Sequence, residues 1–368
     1  MQFGLSESQE FLKDSARKFF AGECPSSEVR RLMETETAYD PQLWAKLADQ
    51  GYTGIIFSEE FGGVALGKVE LMLLMEEAGR ALLPGPFFST VVLAGSVIDA
   101  VASSLFKKKY LASICEGRAR ATVAILESSA SWNINDVQLV ASSNKLTGEK
   151  LFVSDAAVAD FILVVAKNDV YAVDRNAPGL TITPMRAMDL TRKLYAVEFK
   201  NTPAELIGPT TNLPSAFAVA SAALAAELVG GMQRTLDITV EYAKTRKQFG
   251  KPIGMFQAVQ HQCADMYLET ESARSAVYYA GWALEENAPD ACAAVSIAKM
   301  YASDAGRTVG NRGIQIHGGM GFTWENDVHL YYRRAKANES AFGDATFHRE
   351  RLAQLLIDAP ATAHATSL

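Results

Sequence analysis

Gln315-Ile316-His317-Gly318-Gly319-Met320-Gly321-Phe322 is the stretch on which the reading of this chain turns. It lies between two helical runs, one ending near Val309 and the next beginning near Asp327. Two adjacent glycines carry no Cβ, so backbone there approaches a bound group closely and tolerates positive φ. A helix C-cap followed by a turn explains the same residues without a ligand. Two further segments bear on the choice. Thr245-Arg246-Lys247-Gln248-Phe249-Gly250 closes a long helical run, and Ser58-Glu59-Glu60-Phe61-Gly62-Gly63 forms a turn in the first helical region.

The totals bound the possibilities. A chain of 368 residues is long for one core, so two or three domains are expected. A 49% hydrophobic fraction supports a sizeable core. The net charge is −7, from 35 basic and 42 acidic residues, with no basic tract, which argues against nucleic acid as the partner. Cys24, Cys115, Cys263 and Cys292 form no CxxC pair and read as free thiols in a reducing compartment. The five histidines show no metal spacing. The N-terminus is polar, without a secretory signal, and no run of about 18 apolar residues is evident, so no spanning helix is expected. A cytoplasmic protein off the membrane is the expectation.

Taken in order, the chain has three blocks. Residues 1–120 read as helical, with Leu5, Phe11, Leu12, Ala16, Phe19 and Phe20 as an apolar stripe and Asp40-Pro41 as a helix start. Leu83-Pro84-Gly85-Pro86 stops the helix that carries Glu76-Glu77. Short β-branched and aromatic runs follow at 121–126, 150–153, 161–165, 170–173, 180–183 and 195–199. From about Leu213 the chain is helical again, with runs over 214–242, 258–287, 290–309 and from Val328.

The three segments, in this order and within this layout, resemble the acyl-CoA dehydrogenase family over essentially the whole chain. The resemblance implies an α+β fold: an N-terminal α-helical domain (1–120), a middle β-barrel-like domain (121–208), and a C-terminal four-helix bundle that also oligomerises (209–368). It implies FAD as cofactor. Arg246 matches an arginine that reaches across a dimer to FAD, and Gln248 and Phe249 match flavin-facing positions. Gln315, Gly318 and Gly319 match the cradle of the adenosine and pyrophosphate, and Gln257 a position near the nucleotide. An arginine, backbone N–H groups and close glycines are what two phosphate charges require. On the ring side, Leu126-Glu127-Ser128 stands where the family has Thr-Glu-Pro, and no Gly-Ser-Asp follows. Phe152-Val153-Ser154-Asp155 stands at the family's Trp-x-Thr-Asn, with Phe152 to cover the isoalloxazine and Ser154 to offer a hydroxyl near N5. An ordinary strand-core role is the other reading of Phe152.

The base is where the chain departs from the family. Arg333-Arg334-Ala335-Lys336 aligns with the run preceding the usual glutamate, and Phe342 falls at that glutamate's position. The alternative base position on the long helix is Ala220, followed by Ser221. A proton acceptor near the substrate α-carbon has to be a poised carboxylate. Two are candidates. Glu227 lies two turns beyond Ala220 in an apolar run, where a lone carboxylate is costly unless functional or paired; pairing with a buried arginine is its other reading. Asp344 lies just past Phe342; capping the next helix is its other reading.

Three functions are compatible. The chain oxidises an acyl-CoA to the 2,3-enoyl-CoA in fatty acid or steroid side-chain degradation, passing electrons to an electron-transfer flavoprotein, as a homodimer or homotetramer. Or it is the non-catalytic subunit of a heterotetramer with a second acyl-CoA dehydrogenase-like chain, completing a flavin site there; residues 82–87 and Phe342-Gly343-Asp344 look similar to that bacterial subgroup. Or it binds an acyl-CoA and catalyses a different reaction.

Overall fold

The computed structural model describes residues 4–358. Helices α1 (Glu7–Glu23), α2 (Ser26–Met33), α3 (Pro41–Asp49) and α4 (Lys68–Arg80) open the chain. A π-helical stretch, Phe88–Gly95, leads into α5 (Ser96–Val101), and α6 (Ser104–Phe106) and α7 (Ala112–Cys115) close this block. Strands β1 (Ala121–Ala124), β2 (Lys145–Ser154), β3 (Phe161–Val165), β4 (Asp169–Asp174), β5 (Leu180–Met185), β6 (Leu194–Pro203) and β7 (Glu205–Pro209) follow. Then come α8 (Leu213–Thr245), the hairpin β8 (Lys247–Gln248) and β9 (Lys251–Pro252), α9 (Gln257–Glu285), α10 (Ala291–His317), α11 (Val328–Ser340) and α12 (Ala345–Ala353). This is the expected α+β layout of helices, strands and a C-terminal helical bundle.

The described residues gather into two compact units. One draws on residues 4–28, 68–83 and 221–358, the other on residues 29–67 and 84–220. The unit boundary falls inside α8, and each unit is assembled from separated stretches of chain.

In the second unit, two small sheets share one core. Strand order is β1-β3-β4-β7 in one and β2-β6-β5 in the other. β1 and β3 run parallel; every other pairing within these two sheets is antiparallel. All five residues of β3 are buried, as a central strand with both faces covered demands. Over residues 194–199 β6 alternates half-buried and buried positions, the period of a strand with one covered face. Leu146, Val153, Ile162, Val164, Val173 and Phe199 meet between the sheets. α3 begins as its sequence directs, with Asp40 accepting from the Gln42 N–H at 2.8 Å and Pro41 in the first turn.

In the first unit, α10 lays a seam of small residues, Ala291, Ala294, Ala298, Ala302, Ala305 and Val309, at spacings of three and four. α9 answers with Met266, Thr270, Ala273, Val277 and Ala280. α4 and α8 approach each other closely through glycines. A Cβ on Gly79 would stand 2.1 Å from the Glu227 carbonyl oxygen, and one on Gly230 would stand 1.7 Å from that of Glu76. Both positions are therefore closed to any side chain.

Three expectations need correction. α10 does not stop near Val309 but runs to His317, so Gln315 and His317 belong to its last turn. One helix, Thr210–Thr245, is long and apolar enough to cross a membrane, but 83% of its apolar window is buried within the protein, which makes it a core helix. β7 and the β8–β9 hairpin had no counterpart in the sequence pattern.

Candidate flavin and acyl-CoA site

The first unit brings the nucleotide-side residues to one end of its bundle. α8 ends at Thr245, and the main chain of Arg246 is fixed on both sides: its N–H donates to Tyr242 O at 2.8 Å, and its carbonyl accepts from Ile253 N at 2.8 Å. The Arg246 side chain is exposed. Lys247 and Gln248 pair with Pro252 and Lys251, and the hairpin turns through Phe249 (φ 52°) and Gly250 (φ 80°). Two successive left-handed residues are what a two-residue hairpin with the strand twist requires. Phe249 stands at the tip, 92% exposed, with the Phe256 ring edge-on to it at 6.1 Å. Gln257 opens α9 directly after Phe256 and is exposed.

Tyr242 joins this hairpin to the glycine stretch. Its ring stacks on His317 at 4.3 Å, and its hydroxyl donates to His317 O at 3.4 Å. His317 is itself buried, with Nδ1–H donating to Gly313 O at 2.8 Å. Gly318 follows at φ 59°, ψ −139°, a conformation that glycine adopts and side-chain-bearing residues avoid. No atom lies within 4 Å of where a Cβ would sit on Gly318 or Gly319. Internal packing therefore does not demand these glycines, and the backbone beside them is open to close approach. Gln315, one turn back, is exposed. An arginine, two exposed amides, bare backbone and an exposed aromatic ring suit a dinucleotide.

The ring-side residues belong to the second unit. Leu126 is buried just beyond β1, and its carbonyl accepts from Leu151 N at 2.8 Å. Phe152 sits at a bulge of β2 against β6, at φ 56°, and is 45% exposed. That exposure removes the strand-core reading and leaves the ring free to cover a ligand. Ser154 is half-buried, with its carbonyl accepting from the Thr122 hydroxyl at 2.6 Å.

A clamp that sequence reasoning missed shapes the loop beside Leu126. Glu127 accepts from Leu139 N at 2.9 Å, Gln138 N at 3.0 Å and Lys150 Nζ at 2.8 Å. Lys150 is fully buried and also donates to Ile125 O. Burial pushes the Glu127 pKa up, but Lys150 and the two main-chain N–H groups outweigh it, and the net shift is downward. A carboxylate with a lowered folded-state pKa contributes stability above its unfolded value, and that contribution is lost as pH falls through the folded value. Glu127→Gln is thus expected to flatten the decline of the thermal midpoint between about pH 5 and 3 relative to the wild-type chain. Parallel slopes in a melting series would remove this role.

The base candidates take up structural positions. Glu227 is 2% exposed; Oε1 accepts from Arg334 at 2.5 Å and Oε2 from Asn338 at 2.7 Å. Arg334 also donates to Leu83 O at 3.3 Å. Asp344 is exposed and caps α12, with Oδ1 accepting from Phe347 N at 2.8 Å. Phe342 is buried at φ 58°. Ala220 and Ser221 are buried in α8. A separate cavity of about 390 Å³ in the first unit is walled by Lys13, Arg17, Glu76, Glu77, Arg80, Asp237 and Arg274. Its charges are paired with one another, Lys13 and Arg274 on Glu76, Arg17 on Glu77 and Arg80 on Asp237, so it reads as a structural network.

Comparison with known proteins gives a consistent picture. The family model for the acyl-CoA dehydrogenase N-terminal domain matches residues 6–118, and that for the C-terminal domain matches 212–357. Acyl-CoA dehydrogenase IpdE2 of Mycolicibacterium smegmatis is 31% identical over 95% of this chain and 98% of its own length. Among solved structures, a Tcur3481-Tcur3483 steroid ACAD variant is similar at TM-score 0.87 and 31% identity, covering 96% of this chain and 98% of its own. The ChsE4-ChsE5 complex from Mycobacterium tuberculosis is similar at TM-score 0.90 and 28% identity, covering 98% of this chain and 100% of its own.

Proposed function

Because this chain belongs to the acyl-CoA dehydrogenase family, we propose that it works in the cytoplasm as a FAD-dependent oxidoreductase converting an acyl-CoA thioester to the 2,3-enoyl-CoA. FAD is the cofactor of this family, and when bound it supplies the acceptor for the hydride leaving the β-carbon. In our reading an electron-transfer flavoprotein takes the electrons onward, and the acyl group belongs to fatty acid or steroid side-chain degradation. The observation that carries the proposal is the convergence of Arg246, Gln315, Gly318 and Gly319 at one bundle end through the Tyr242–His317 contact.

Within this chain, Arg246 would hold the pyrophosphate charge, the Gly318-Gly319 backbone would lie against it, and Gln248, Gln257 and Gln315 would bond the nucleotide. Leu126, Phe152 and Ser154 would border the ring. The α-proton needs a carboxylate. Glu227 spends both oxygens on Arg334 and Asn338, whereas Asp344 is exposed and spends one on the cap. We therefore assign the base to Asp344 and an anchoring role to Glu227.

A second reading has its own support: a buried Phe342 at the usual base position. On this reading the chain is the non-catalytic subunit of a heterotetramer, lending Arg246, Gln315 and the glycines to a flavin on its partner. The similarity to the ChsE4-ChsE5 complex accords with it. The visible absorbance of the chain purified alone, expressed as FAD per protomer beside its oligomeric mass, decides between them. About one flavin per chain in a homomer, with turnover of some acyl-CoA, supports the enzyme. Flavin recovered only on co-expression with a second such chain supports the subunit. A chain without flavin under either condition would refute both.

A further inference from the structure

Two buried basic side chains outside the site described above converge on one turn. Lys299, on α10, is fully buried, and its Nζ donates to Gly343 O at 2.9 Å, Glu339 O at 3.1 Å and Ser303 Oγ at 3.3 Å. Three donors meet three neutral acceptors. His348, on α12, is also fully buried; its Nε2–H donates to Phe342 O at 3.1 Å, and its Nδ1 is buried without a partner. An ammonium is costly to bury in an alanine-rich helix, and an apolar residue would fill that space more cheaply.

The turn these groups hold is itself strained. Phe342 is at φ 58° and Gly343 at φ 94°, and a Cβ on Gly343 would stand 2.2 Å from the Phe347 ring. A bulky residue at positive φ costs about 1–3 kcal/mol and persists only where its surroundings over-determine it. Here they do so from two helices at once. We propose that Lys299 and His348 are positioning residues, holding the Phe342–Gly343 turn by its main-chain carbonyls and so fixing where Phe342 and Asp344 stand. The functional half of this rests on the reading above, which puts that turn at the substrate α-carbon.

The charges facing Lys299 come from two elements, α11 and α12. Glu339 on α11 and Asp344 at the start of α12 favour its cation, and His348 faces it from α12. Burial outweighs the two carboxylates and lowers the Lys299 pKa to about 7. Burial, and then the Lys299 charge, lowers that of His348 to about 4, so the ring is neutral at ordinary pH. When Lys299 loses its proton, Ser303 can turn to donate to Nζ and both carbonyl bonds survive, but as neutral bonds about half as strong. The clamp is therefore firmest below neutrality.

Hydrogen–deuterium exchange of the peptide covering residues 340–348, in the full chain with its FAD and any partner subunit, tests this. Lys299→Met and His348→Leu should each speed exchange there by about tenfold, with the rest of α10 unchanged, while His348→Gln, which keeps a donor, should stay near wild type. In the wild-type chain, exchange corrected for its intrinsic pH dependence should rise as pH passes neutrality, and Lys299→Met should abolish that rise. Turnover should lose kcat by about tenfold with KM little changed. Unaltered exchange in a folded Lys299→Met or His348→Leu chain would overturn the proposal. If neither folds, a flat wild-type pH series does so. A wild-type chain that turns over no acyl-CoA but shows these exchange changes would refute the enzyme reading and leave the clamp standing.

Discussion

Glu227→Gln is expected to lower the stability of the chain by about 3–5 kcal/mol, because it takes the Glu227 carboxylate away from the charged, buried Arg334 guanidinium. On a unit of this size that is a fall of roughly 10 °C in the thermal midpoint. Arg334 is 3% exposed and Asn338 1%, so water cannot replace the lost partner. The loss comes from breaking the pair and not from the pair's own worth. Glu227→Leu combined with Arg334→Met should therefore recover much of it, since a buried ion pair exchanged whole for apolar groups is often near neutral. The experiment also settles the base. A Glu227→Gln chain that melts like wild type yet has lost all turnover would return Glu227 to a chemical role. Lost stability with turnover retained below the melting transition would leave Asp344 as the base, and Asp344→Asn would then abolish the reaction.

The second large effect is on flavin retention. Arg246 has a fixed main chain and an exposed side chain, so truncation removes a charge without disturbing a core. A guanidinium donating to a phosphate makes charge-assisted bonds worth about 1.5–3 kcal/mol each. Arg246→Ala should raise the FAD dissociation constant by about 10- to 100-fold while leaving the melting of the flavin-free chain unchanged. Full flavin occupancy after gel filtration would disprove the assignment. In a heteromer the same loss should appear on the flavin held by the partner chain.

Much of the fold was legible because local pattern and tertiary role agree. The five apolar residues 161–165 read as a buried strand and are one, and Asp40-Pro41 reads as a helix start and is one. The end of α10 was misread for a physical reason. Gly310 and Gly313 look like helix breakers, but each is a small residue against a neighbour: a Cβ would stand 2.8 Å from Tyr332 at one and 2.7 Å from Thr235 at the other. Packing overrode propensity there. The candidate site was legible only in part. A carboxylate in an apolar run signals that Glu227 has a reason to be there, but its partner Arg334 is 107 positions away. The Glu127 clamp was hidden likewise, since Lys150 is 23 positions along and reads as a strand residue. Motifs lie within a few residues of sequence, whereas side chains that hold a turn or a loop come from anywhere.

The discontinuity of the first unit bears on how the chain is made. α4, with Leu71–Met75 at 0–1% exposure in the finished protein, leaves the ribosome long before α8, α9 and α11, which cover it. Leu83 and Arg334, joined by a hydrogen bond, are 251 positions apart. At about 5–20 residues per second, that interval is roughly 12–50 s before the last of the cover is made, and until α8 emerges only α1, made earlier, packs on the apolar helix. The nascent chain therefore needs a chaperone or an early provisional packing for α4, and a chain arrested before α8 should aggregate however sound its N-terminal helices are.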